Sequence, residues 1–146
     1  MDRGGWQPVN VLEVEKAVAA YIRGLAAVPA ATQVREAVAT DDMDFEKQAV
    51  VVELTDSEAR GKNLFLCTLQ VSLRSPSMAI ARTTHSSLFA SLSTALQHQA
   101  NFTTAFNANA TGLTFGGSYL TSVPGPDFTD RAWVNSLQLA LGVRVV

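Results

Sequence analysis

Two stretches, Gln48-Ala-Val-Val-Val-Glu-Leu54 and Asn63-Leu-Phe-Leu-Cys-Thr-Leu-Gln-Val-Ser-Leu73, decide how this chain folds. The first is a β-branched run suited to a strand buried on both faces. The second alternates: Phe65, Cys67, Leu69, Val71 and Leu73 point one way, and Thr68, Gln70 and Ser72 the other. Between them Thr55 to Lys62 reads as a charged connection, with Gly61 available for a positive φ. Together they predict a long antiparallel hairpin with an exposed tip. Cys67 falls on the apolar face, as a small core residue rather than a nucleophile.

Upstream, Asn10 opens a helix over about 11–27. Its side chain is placed to cap the Glu13 amide, with Glu13 reaching back and Val9 stapling onto Val14. Val11, Val14, Val18, Tyr21, Ile22 and Leu25 recur at helical spacing, and Pro29 is the expected stop. Residues 30–46 are ambiguous, with Val34 and Val38 fitting a short helix or an irregular strand. Downstream, Pro76 breaks the chain, and Thr83 or Thr84 is the expected cap of a second helix with Leu88, Leu92, Ala95 and Leu96 inward. Gly116-Gly117 resembles a turn, and Ser118 to Val123 a strand closed by Pro124-Gly125-Pro126. From Arg131 to Val145 apolar and polar residues alternate over roughly 50 Å of extended chain.

The charges are unevenly placed. From Thr83 to Pro126 there is no Asp, Glu, Lys or Arg, so all 11 basic and 13 acidic residues lie outside that stretch. Ser, Thr, Asn, Gln and Gly interrupt it throughout, which excludes a membrane span. Protein–protein interfaces are depleted of charge, and the stretch reads as surface meant for other subunits, with a Ser/Thr/Asn-rich solvated face as the alternative. Gln97, Gln99 and Asn101 are the expected hydrogen-bonding residues of that interface, and a Gln97→Glu, Gln99→Lys pair that left assembly unchanged would count against them.

The 146 residues fit one domain. A net charge of −2 gives no basic field for phosphates, so nucleic acid is not an expected ligand. Cys67 is the single cysteine, and His85 and His98 are the two histidines. No HExxH, CxxC, EF-hand, P-loop or nucleophile-elbow pattern occurs, and no catalytic, cofactor or metal role is assigned to any residue. His85 and His98, thirteen residues apart, are expected as surface hydrogen-bonding groups. Asp41, Asp42 and Asp44 lack the glycine and terminal acid of a calcium loop and read as solvated. No secretory pattern opens the chain, which predicts that it stays in the compartment where it is made.

Helix, hairpin, helix and two further strands give an α+β fold of order α-β-β-α-β-β, an antiparallel or mixed sheet with two helices on one face. The opening helix, the Ala49–Glu53 and Asn63–Leu73 strands, the entry Thr84-His85-Ser86-Ser87-Leu88-Phe89 and the closing Asp130-Arg131-Ala132-Trp133 together resemble the tail terminator (tail completion, head–tail joining) proteins of long-tailed bacteriophages. The resemblance covers nearly the whole chain and rests on layout and size. It implies a homo-oligomeric, hexameric ring in the virion at the tail–neck junction, made in the host cytoplasm. Its partners would be the tail tube protein and the head or neck connector protein, with DNA only passing through the channel and no membrane. The acidic loop at Asp41, Asp42 and Asp44, or the hairpin tip at Asp56, Glu58, Arg60 and Lys62, would then face the channel or the adjoining ring. Acidic walls repel phosphates. Rival readings are another ring component (tail tube or head-completion protein), a small cytosolic enzyme using His85 or His98 as base, and a binding module.

Overall fold

The hairpin is present and longer than the sequence suggests. In the computed structural model, which describes residues 10–37, 43–44, 46–125 and 127–146, its arms are β2 (Ala49–Gly61) and β3 (Leu64–Pro76), after β1 (Gln33–Glu36). The expectations that involve Pro8, Val9, Val38, Asp41, Asp42 and Pro126 lie outside the described residues. The charged segment Asp56–Arg60 is strand rather than loop, with bulges on either side of it, between Leu54 and Asp56 and between Ala59 and Gly61. The tight turn is Lys62-Asn63, and Asn63, not Gly61, takes the left-handed φ of 62°. Asn tolerates that region because its short polar side chain bonds locally.

The β6 strand (Ala132–Val145) pairs with β3 along its whole length, from Leu64↔Arg144 to Pro76↔Ala132. On its other edge it carries β4 (Leu113–Ser122) and the short β5 (Asp127–Thr129). The sheet order is β1-β2-β3-β6-β4, with β5 also on β6, and β1 runs parallel to β2 while the other pairs are antiparallel. Gly116-Gly117 is a bulge inside β4, not a turn, and Gly117 has φ 116°. Asp130 (φ 50°) and Arg131 (φ 59°) make the two-residue turn between β5 and β6, where both central positions need positive φ. The Arg131 carbonyl is held by the Ser77 amide at 2.9 Å and the Ser77 hydroxyl at 2.8 Å.

One sheet face is roofed by three helices: α1 (Val11–Arg23), α2 (Arg82–Ala95) and α3 (Gln99–Asn109). The α+β class and mixed sheet stand. The two-helix order α-β-β-α-β-β is corrected to α-β-β-β-α-α-β-β-β, because the Asn/Ala/Thr-rich segment after His98 is helical. Its apolar stripe is only Phe102 and Phe106, too sparse for periodicity to reveal. Both rings are fully buried, about 1.5–3 kcal/mol each. Phe102 stacks on Tyr21 of α1 at 4.5 Å, and the Tyr21 hydroxyl donates to the Ala95 carbonyl at 2.6 Å, so one side chain ties the three helices together.

Two helix ends differ from expectation. Asn10 Oδ1 does cap the Glu13 amide at 3.2 Å, but the Glu13 carboxylate turns away to the Thr111 amide (2.8 Å) and Lys16 (3.7 Å). The helix stops at Gly24, before Pro29, and Arg23 reaches across to the Val34 carbonyl at 2.8 Å. At α2 the cap is Ala81, with no side-chain bond, and Thr83 and Thr84 lie inside the first turn.

Candidate functional site

Polar groups inside a protein must be bonded, so inward-facing polar residues mark places to look first. Ser75 and Asn135 continue the inward parity of β3 and β6, and His85 continues the Leu88–Leu92 stripe of α2. Contrary to the surface role expected for it, His85 is 1% exposed, and Ser75 is 0% exposed. The three join Thr32 and Gln48 in one relay. Thr32 Oγ1 donates to Gln48 Oε1 (3.0 Å), Gln48 Nε2 donates to Ser75 Oγ (2.8 Å), and Ser75 Oγ meets His85 Nδ1 (2.6 Å). His85 Nε2 meets Asn135 Oδ1 at 2.7 Å. With the two amides oriented this way, Nε2 carries the imidazole proton and Nδ1 accepts from Ser75, so each of these bonds is satisfied by a neutral ring. Burial lowers the His85 pKa from its ordinary 6.5, with the Asn135 bond opposing that shift. A Ser–His–Asn set invites an enzymatic reading, but the serine oxygen is sealed from solvent in this conformation. The relay pins the first turn of α2 to the sheet.

A second buried polar group is Glu15 on α1, although helical spacing places it off the apolar stripe, with Glu13, Lys16 and Arg23. Its Oε2 accepts the Leu54 amide at 2.8 Å, just beyond Val52, where β1 stops pairing with β2. The carboxylate thus continues the ladder by one bond. Burial raises its pKa above 4.5, against the Leu54 amide, with the Glu53 and Glu36 charges adding to the rise. Among the described residues Oε1 has no hydrogen-bond partner, and the Ala37 amide opposes the rise less than the Leu54 amide does.

The uncharged stretch forms the outer face of α2 and α3 together with β4. Three shallow grooves of about 370, 440 and 430 Å³ run along this layer. The first two share Ser91, and the last two share Tyr21, Leu25 and Asn101, so they form one depression with no charged lining residue. Two of its polar lining residues, Ser91 and Thr104, are turned back on their own helices, as are four others elsewhere in the same segment. Ser91, Ser93, Gln97, Thr103, Thr104 and Asn109 each donate to the carbonyl four residues back, at 2.6–3.1 Å. A hydroxyl or amide bonded in this way keeps its partner when water leaves.

Gln97 and Gln99 both spend their amides inside the chain. Gln97 bonds the Ser93 carbonyl, and Gln99 clamps α3 to β4 by accepting the Ser118 amide (2.9 Å) and donating to the Ser118 carbonyl (2.9 Å). Asn101 lines the groove, its backbone amide capped by His98 Nδ1 at 3.4 Å.

The two acidic candidates are not brought together. Asp44 is bonded through its backbone to the Gln33 side-chain amide, ahead of β2, while Asp56, Glu58, Arg60 and Lys62 lie roughly 20–40 Å farther along the strand. Glu58 and Arg60 pair at 3.2 Å with both side chains exposed. Among the described residues no group of three His, Cys, Asp or Glu is poised to hold a metal, and no helix is long and apolar enough to cross a membrane. No protein-family model and no curated protein matches this chain.

Proposed function

We propose that the chain is a ring-forming structural subunit of the tail terminator type, which closes a finished phage tail tube and offers a docking surface to the neck. The observation that supports this reading is the uncharged helix face, several of whose polar side chains already bond to their own backbone. Burying an unpaired polar group costs about 1–3 kcal/mol, and a charged one several. A face without charge, and with several of its polar groups already bonded, is covered by protein at a reduced desolvation cost. Its partners are further copies of the chain, six on the resemblance, then the tail tube protein below and the connector above. In the ring the Asp56–Lys62 end of the hairpin faces the channel or the adjoining ring, and DNA passes without specific binding.

Mass photometry and negative-stain imaging of the purified chain, alone and with tail tubes, test this. The expected result is a single closed ring that caps tube ends. Open filaments would mark a tube protein instead, and a monomer that ignores tubes would refute the proposal. Thr94→Glu is the better disruptive variant, since Thr94 is exposed in the groove whereas Gln99→Lys also breaks the clamp on Ser118. It should abolish the ring while leaving the fold within about 0.5 kcal/mol.

A further inference from the structure

The opening turns of α2 are bound to the rest of the protein at few points. From Arg82 to Leu88 only His85 and Leu88 are buried, and Leu88 lines the first groove. Arg82 lies over the Trp133 ring, its Cζ 5.5 Å from the centroid. The helix end itself is poorly made. Ala81 supplies no side-chain cap, no acid occupies the first turn, and Arg82 puts positive charge at the positive end of the helix dipole. A little farther on, Ser91 Oγ donates to the Ser87 carbonyl and Ser93 Oγ to the Phe89 carbonyl, back-bonds that slightly weaken and bend helices. The second half of α2 is held firmly, by buried Phe89 and Leu92 and by the Tyr21 hydroxyl on the Ala95 carbonyl. Two turns of helix without tertiary support are unstable in water. The bonds of His85 to Ser75 and Asn135, with Leu88 beside them, therefore keep this end wound.

We propose that residues 82–88 are a flap latched by His85, and that a proton on the imidazole unlatches it. The neutral ring matches its partners, donating from Nε2 to Asn135 and accepting at Nδ1 from Ser75, whereas a protonated ring is a buried charge that needs a counter-ion. Among the described residues the elements packed around it present none. Arg74 of β3 alternates to the other sheet face from Ser75, and Asp127 of β5 lies opposite Val134, out of step with Asn135. Glu46 and Lys47, ahead of β2, line a cavity beyond Gln48, Arg82 is engaged with Trp133, and residues 24–32 carry no charge. Burial holds the His85 pKa below its ordinary 6.5, so the latch is closed above that value and loosens as pH falls through it. Gln48 and Thr84 are walls both of the first groove and of the cavity beyond, each about 370 Å³. Unwinding the flap joins the two and bares the Ser75 hydroxyl beneath. The latch acts within one subunit, with or without a ring around it.

Hydrogen exchange of the full wild-type chain, expressed as protection factors between about pH 7.5 and about pH 5.5, tests this. The amides of residues 85–89 should lose protection by up to about tenfold for each pH unit below 6.5, while those of Leu92–Ala95, β3 and β6 keep theirs. Equal loss in every element would mean global unfolding and overturn the flap, as would no loss at all. Trp133 reports the same event from the other side. In a W6F chain, where it is the single tryptophan, acrylamide quenching of its emission should rise over that range as Arg82 leaves the ring. Adding H85Q should make the quenching independent of pH there, at whichever level it settles. A pH-dependent rise that survives unchanged in H85Q would overturn His85 as the latch.

Discussion

Acidification should weaken this fold through one side chain. In the unfolded chain His85 titrates near its ordinary 6.5, whereas in the folded protein burial holds its pKa lower. Above 6.5 both states are neutral at this residue and the relay contributes in full. As pH falls through that value the unfolded chain takes up a proton that the native chain refuses, and stability drops until the folded pKa is reached. The loss is at most about 1.4 kcal/mol for each pH unit crossed below 6.5. For a chain of this size that upper bound is a fall of about 3–6 °C in Tm. A protonated ring would also point Nδ1–H at Ser75, whose oxygen already accepts from Gln48, and the serine hydrogen would need a new acceptor. Glu15 acts in the opposite sense: its raised pKa removes stability as pH rises through the folded value, so acidification relieves it. The comparison is therefore between the wild-type chain and His85→Gln, by urea unfolding at fixed ionic strength from about pH 8 to about pH 5.5. Wild type should lose stability faster than the variant across that window. Parallel pH profiles, or a steeper loss in the variant, would refute the buried neutral relay.

Ser75→Ala should cost roughly 2–4 kcal/mol, since Gln48 Nε2 and His85 Nδ1 both lose their buried partner, as read from denaturant midpoints. Glu15→Leu should cost about 1–3 kcal/mol by stranding the Leu54 amide, and amide exchange at Leu54 should accelerate. At the close approach of β4 and β6, a Cβ on Gly116 would lie 3.1 Å from the Gly142 carbonyl oxygen, whereas one on Gly142 meets nothing nearer than 3.5 Å. Gly116→Ala should therefore destabilise by about 1–3 kcal/mol and Gly142→Ala by clearly less, a difference that thermal melts of the two variants would show.

Period-two and helical patterns acted on residues that share one environment, and those parts of the fold were legible. The alternation of Phe65 to Leu73 and of Trp133 to Val145 became the two central strands, and Asn10 with its apolar stripe became α1. The helix after His98 was hidden because neighbouring elements supply most of its support. Its Phe102 and Phe106 meet Phe115 of β4, and Phe102 also meets Tyr21 of α1, so its apolar partners lie outside the helix itself. Strand β1 was hidden for a related reason. Four residues carry no usable period, and it exists because β2 offers a free edge.

Local order and the blank in the charge pattern were therefore set by the chain alone, since each depends on residues a few positions apart. Which polar groups are spent inside the molecule was decided in three dimensions. Gln99 on Ser118, Glu15 on Leu54 and His85 between Ser75 and Asn135 are bonds across the fold, and hydrogen bonding requires proximity that sequence spacing does not encode.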